Sequence, residues 1–276
     1  MKITKANGET QEFDPKKLKH SWKRAHIPEE YHDEIFQKLE PTLYEGITTN
    51  EIYETVTKII SALYPAGQCT YNLKHAIMAL GPSGFPFERF VGEIFRKLGY
   101  DVEVGKMLQG RCVSHEVDVY GKKDDEHLLI ECKYKSQAGY RTDVKIPLYI
   151  SVRFQDVAGG ELRDIPEDRI RKIVITNTRF TTEALTYGEC VGLEMIGWDY
   201  PKQRGLRTLI EEVQLHPITS LSSLEPKHLK ELLEKEIVFA MQLIEQPVHL
   251  DRLRLSDKHR AFLLRELEAL KSCGVS

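Results

Sequence analysis

Apolar residues recur at helical spacing in the first eighty positions. They form short β-branched runs among helical stretches through the middle of the chain, and return to helical spacing at the end. Lys2–Phe13 reads as a short polar hairpin turning at Asn7-Gly8. Asp14-Pro15 opens a helix, with Asp as the cap and Pro where no N–H is needed. Further helices are predicted over about 29–44, from Thr48/Thr49 onward with Ile52, Val56, Ile59, Ile60 and Leu63 as the apolar positions, and over about 70–80. Gly81-Pro82-Ser83-Gly84-Phe85-Pro86 ends any helix and marks a boundary.

Beyond it, a helix over 87–98 closes at Gly99. Tyr100–Val104, Val113–Tyr120 and Leu128–Lys133 read as strands, and 146–158 as a helix. The strand Lys172–Ile175, a helix over 181–191, the short strand Leu193–Ile196 and a helix over 205–213 follow. This alternation predicts a mixed sheet covered by helices. Pro226–Leu233, Ile237–Ile244 and Ser256–Lys271 read as helices again. The expected class is a multidomain α+β or α/β chain divided at about 1–83, 84–214 and 215–276.

A formal charge of -3 over 276 residues excludes nucleic-acid binding by bulk positive charge and leaves room for a basic patch. No stretch approaches the roughly 18 consecutive apolar residues of a membrane span, and the N-terminus lacks the apolar centre of a signal peptide. Cys69, Cys112, Cys132, Cys190 and Cys273 are odd in number and none are at zinc-ligand spacing. The expectation is a soluble cytoplasmic protein with no membrane contact.

Chemistry concentrates between 88 and 133. Asp118 lies in one predicted strand, and Glu131 and Lys133 end the next. Residues two apart on a strand share a face, so the hairpin brings two carboxylates and an amine together. Two carboxylates suit a hard divalent cation, Mg²⁺ or Mn²⁺, and such an ion activates water for phosphodiester hydrolysis. A lysine among carboxylates suits an electrostatic role better than that of a general base. An isolated E-x-K pair is usually a solvated ion pair; the apolar strand before it and the acidic residues around it narrow the reading. Glu116 shares the Asp118 face and either completes the site or is solvated, while His115 alternates to the other face.

Phe87-Glu88-Arg89-Phe90-Val91, Leu98-Gly99-Tyr100, Glu116-Val-Asp118-Val and Ile130-Glu-Cys-Lys133 resemble the PD-(D/E)XK nuclease superfamily, and within it the Mrr-like restriction endonucleases. No Pro precedes Asp118, a departure from the signature. The resemblance implies an α-β-β-β-α-β core and Mg²⁺-dependent DNA cleavage. It implies Asp118, Glu131 and the Cys132 carbonyl as metal ligands, Lys133 as catalytic lysine and Glu88 as the acidic residue of the preceding helix. Glu93 rivals Glu88 from a different helix face. Gln155 is the supporting polar residue on the later helix, and Lys135 and Arg141 offer phosphate contacts. DNA and further copies of the chain are the implied partners.

Ile3-Thr-Lys5-Ala-Asn7-Gly8, Phe13-Asp14-Pro-Lys-Lys17-Leu and Gly46-Ile-Thr-Thr49-Asn-Glu-Ile52 resemble the ATP-cone domain. That resemblance implies a helical bundle with a β-hairpin cap, binding ATP or dATP allosterically through Ile3, Lys5, Gln11, Asp14, Lys17 and Thr49. Lys5-Ala6 stands where the cone carries Lys-Arg. The rival reading is a basic DNA-binding or dimerising bundle, since Lys16, Lys17, Lys19, Lys23 and Arg24 crowd the first helix. The C-terminal segment loosely resembles a helix-hairpin-helix, with Glu236 where that hairpin carries glycine. The functional expectation is a nucleotide-regulated Mrr-like endonuclease. Alternatives are a repair nuclease or junction resolvase, and a nucleotide-responsive DNA-binding regulator with an inactive nuclease fold.

Overall fold

The computed structural model describes residues 1–5, 8–25, 27–137 and 139–272, without the side chains of Pro65, Ala66, Gln68, Cys69, Thr70 and Ser272. The Asn7 turn position, Ala6 and Cys273 lie outside these. Contacts divide the chain into two units, one of residues 1–76, 220–223 and 254–276, the other of 77–219 and 224–253. Among the described residues, no helix is long and apolar enough to cross a membrane.

The first unit opens with an antiparallel pair, β1 (Lys2–Thr4) and β2 (Thr10–Glu12), in the register Ile3↔Gln11. The Thr4 N–H donates to the Ile47 carbonyl and the Gly46 N–H to the Lys2 carbonyl, so β1 is also tied to the chain before the third helix. Four helices follow: α1 (Pro15–Arg24), α2 (Glu29–Leu39), α3 (Thr49–Leu63) and α4 (Pro65–Met78). Asp14 caps α1 by accepting the Lys16 N–H at 2.9 Å. Thr48 and Glu51 form a reciprocal capping box at the start of α3. The predicted second helix is shorter than expected: Pro41 lies in a 3₁₀ turn, Glu40–Thr42, where α2 has ended. Trp22, Ile35, Leu39, Ile52, Val56 and Ile60 fill the core. Lys19 and Lys23 of the basic α1 pair with Asp33 and Glu29.

The second unit begins with α5 (Phe85–Lys97), after which Gly99 takes φ 92°, a left-handed turn that suits glycine. β3 (Asp101–Gln109), β4 (Ser114–Lys123) and β5 (Glu126–Lys133) form an antiparallel meander. Then come β6 (Arg141–Thr142), α6 (Lys145–Ala158), β7 (Ile170–Thr176), β8 (Arg179–Phe180), α7 (Thr182–Cys190), β9 (Glu194–Ile196) and α8 (Leu206–Val213). The main sheet is mixed, in the order β3-β4-β5-β7-β9, with β5, β7 and β9 parallel. Ile150, Phe154 and Val157 of α6 and Ala184 of α7 pack in one cluster with Leu129, Val174 and Met195 of the sheet.

Beyond α8 lie α9 (Pro226–Glu234), α10 (Gln242–Glu245) and α11 (Pro247–Arg252). The expected helix Ile237–Ile244 is mostly absent. Ile237, Val238, Phe239 and Ala240 are buried, and this segment bridges to Pro217, with the Ile218 N–H on the Val238 carbonyl. An all-apolar run of this length satisfies a buried extended segment as well as a helix, and burial on all sides favoured the former. Glu236 precedes it at φ 64°, the backbone a hairpin glycine would take. The last helix, α12 (Asp257–Ser272), belongs to the first unit. Its Glu266 accepts the Ser222 and Ser223 N–H groups.

Candidate active site

The site is assembled where β4 and β5 run side by side. The Cys132 N–H of β5 donates to Asp118 Oδ2 of β4 at 2.7 Å. In a strand a residue's N–H and C=O face the same neighbour, so the Cys132 carbonyl is turned toward β4 as well. Glu131 is buried, its Oε1 2.5 Å from Lys133 Nζ and its Oε2 3.0 Å from Nη1 of Arg153 on α6. The Lys133 carbonyl accepts from the Thr176 hydroxyl at 2.7 Å. Asn177, fully buried, donates to the Lys135 carbonyl and accepts the Lys135 N–H, fixing the chain as it leaves β5.

Glu88, in the first turn of α5, stands close enough to Asp118, Glu116 and Glu131 to feel their charge. Burial, then these neighbours, push its carboxyl up to about 7. Burial, then the Glu131 charge, push Asp118 up to about 6 against the opposing Cys132 N–H. Glu93 is paired instead with Arg96. His115 meets Asp156 at 2.8 Å, and Asp156 also accepts the Cys112 and Val113 N–H groups, pinning the turn between β3 and β4.

Gln155 is not brought to the cluster. It is exposed, and the helix side chain that reaches Glu131 is Arg153. Two positions on a helix are about 200° apart, so only one of the pair can face the sheet there. Arg153 carried no sequence signal beyond a cation on an amphipathic helix, normally a solvated one. Lys135 and Arg141 are exposed beyond the end of β5.

Among the described residues, no three His, Cys, Asp or Glu side chains already surround one point; Glu131 is turned to its two cations. The donor chemistry nonetheless fits a hard divalent ion: Glu88, Asp118 and Glu131 offer only oxygen, and their repulsion within a largely buried cluster is what a cation relieves.

In the first unit, a cavity of about 230 Å³ is lined by Ile3, Gln11, Asp14, Lys17 and Thr49 together with Phe13, Ser21, Tyr53 and Tyr71. Lys5 is not on it; its ammonium pairs with Glu9 at 3.1 Å. Tyr53, one turn beyond Thr49 on α3, stacks with the Tyr71 and His75 rings, with centroids 5.4 and 3.7 Å away. Its position four residues after Thr49 is the sequence signal that points to the same cavity.

Three family models match successive stretches: "ATP cone domain" over 1–66, "Restriction endonuclease" over 81–199 and "AF1548-like, C-terminal" over 216–271. A curated protein of Archaeoglobus fulgidus, named only "Uncharacterized protein", is 32% identical over 154 residues, 56% of this chain and 83% of that one. Residues 81–199 thus form a domain of the restriction endonuclease family. An ATP cone, over 1–66, precedes it. A solved structure titled "Crystal Structure of Protein of Unknown Function AF1548" superposes with a TM-score of 0.56 at 28% identity, over 69% of this chain and all of that one. The C-terminal match, over 216–271, is to the AF1548-like model.

Proposed function

We propose that this restriction-type nuclease is a Mg²⁺- or Mn²⁺-dependent DNA endonuclease whose cone binds ATP or dATP, acting in the cytoplasm as an assembly of more than one copy. The observation that carries the reading is the nearness of Glu88, Asp118 and Glu131, close enough for Glu88 to feel the other two charges, with Lys133 on Glu131 at the end of β5. The three carboxylates and the Cys132 carbonyl would hold the ion, which supplies polarisation of the phosphate and a hydroxide-like water.

The chain's own groups do the rest. The Cys132 N–H orients Asp118. Lys133 places its ammonium against the charge that builds on the phosphate oxygens as the transition state forms. Thr176 and Asn177 fix the strand end that carries it. Lys135 and Arg141 hold the DNA backbone without reading sequence.

The test is cleavage of methylated, unmethylated and branched DNA with Mg²⁺, with Mn²⁺ and after exhaustive treatment with EDTA. Asp118→Ala and Lys133→Ala are expected to lower the rate by about 10²–10³-fold or more while DNA binding persists. Wild-type rates in both variants, or undiminished cutting in EDTA, would sink the reading.

A further inference from the structure

Arg153 touches the carboxylate cluster yet has no part in the chemistry above. It shares Glu131 with Lys133, one oxygen each, and the two cations are held differently. Lys133 makes a single-point contact from a flexible stem, and its side chain is 30% exposed. Arg153 is 14% exposed and is fixed on three sides. Nη1 meets Glu131, Nη2 donates to the Glu116 carbonyl, and the guanidinium lies 5.3 Å from the Tyr149 ring centroid. The Glu131 side chain is only 4% exposed. A carboxylate so deeply placed is strongly destabilising once it loses its charge partner. As long as no metal ion sits on Glu131, one of the two side-chain cations must therefore remain with it whenever the other leaves, and the geometry of Arg153 suits it to remain.

We propose that Arg153 is a positioning residue: by keeping Glu131 paired, it frees Lys133 to leave Glu131 and reach the scissile phosphate. The destination of Lys133 rests on the nuclease reading; the sharing of Glu131 does not. Without Arg153, Lys133 is the cation left to Glu131 and stays on it.

The experiment is acetylation of the full-length protein with acetic anhydride, following Lys133 by peptide mass spectrometry, alongside cleavage kinetics. In Arg153→Gln, Lys133 is expected to acetylate severalfold more slowly than in the wild type. The kcat is expected to fall about a hundredfold, the scale of a misplaced catalytic group, with KM for DNA little changed. Arg153→Lys, which keeps the charge without the fork, should fall between. A merely structural role predicts the opposite sign, a loosened site in which Lys133 labels faster. Faster or unchanged labelling overturns the proposal. If Arg153→Gln fails to melt cooperatively, the labelling of Arg153→Lys decides by the same sign. Slower labelling in a chain that cuts no DNA overturns the nuclease reading, and with it the destination of Lys133, while upholding the sharing of Glu131.

Discussion

His216 carries a pH signature that a single side chain can be held to. It is buried, its Nδ1 has no hydrogen-bond partner among the described residues, and desolvation lowers its pKa to about 4. The fold therefore favours the neutral ring. Between about pH 6.5 and 4 the unfolded chain takes up a proton that the folded chain refuses, so stability is full above this window and falls as pH drops through it. The loss reaches about 3 kcal/mol at most. His216→Phe is expected to flatten that part of the profile, measured as denaturant midpoint against pH; an unchanged slope would show that other groups carry it. At this scale the grouping of carboxylates and lysine was legible where the backbone dictates direction. Asp118, Glu131 and Lys133 follow from strand alternation and neighbouring strands, whereas Arg153 depends on which side of α6 is pressed to the sheet. Gln155 sits two positions along on the same helix and is exposed.

Between residue and domain, the elements owe their ends to specific chemistry. Thr48 accepts the Glu51 N–H at 3.1 Å, and Glu51 accepts the Thr48 N–H at 2.9 Å. Thr48→Ala is expected to cost about 1 kcal/mol, the usual worth of such a cap, and to lower the melting temperature by about 2–4 °C in a chain of this size. Calorimetry of the two proteins checks it, and an unchanged melt would mean that α3 is held by packing alone. Capped helices such as α1 and α3 were readable because Asp14-Pro15 and Thr48-Thr49-Asn50-Glu51 announce them. β3 was read as ending at Val104 but continues to Gln109, because Gly105-Lys106 interrupts the apolar pattern while the pairing with β4 skips Gly105 and resumes in the same register at Lys106↔Val117. The segment 237–240 was misread for the converse reason: buried on every side, it has no periodicity to display.

For the molecule as a whole, the cone and the nuclease were legible as separate domains because each has motifs in a fixed order. With the cone reading in force, ATP or dATP is expected to raise the melting temperature of the full-length protein. A ligand bound only by the folded state adds about 2.7 kcal/mol at a hundredfold excess over Kd. Lys17→Ala, in the lining of the cavity, should remove most of the shift. Equal shifts with ATP, inorganic triphosphate and heparin would reassign the segment to polyanion binding. The unit that holds the cone also takes in residues 254–276, while 77–219 and 224–253 form the other unit. The nuclease unit is therefore complete in residues translated before 254, whereas the cone unit also needs residues translated after 253. The usual order in which the earlier of two domains matures first is reversed for these two units, and a nascent chain exposed only as far as residue 253 would carry a finished nuclease unit and an unfinished cone unit.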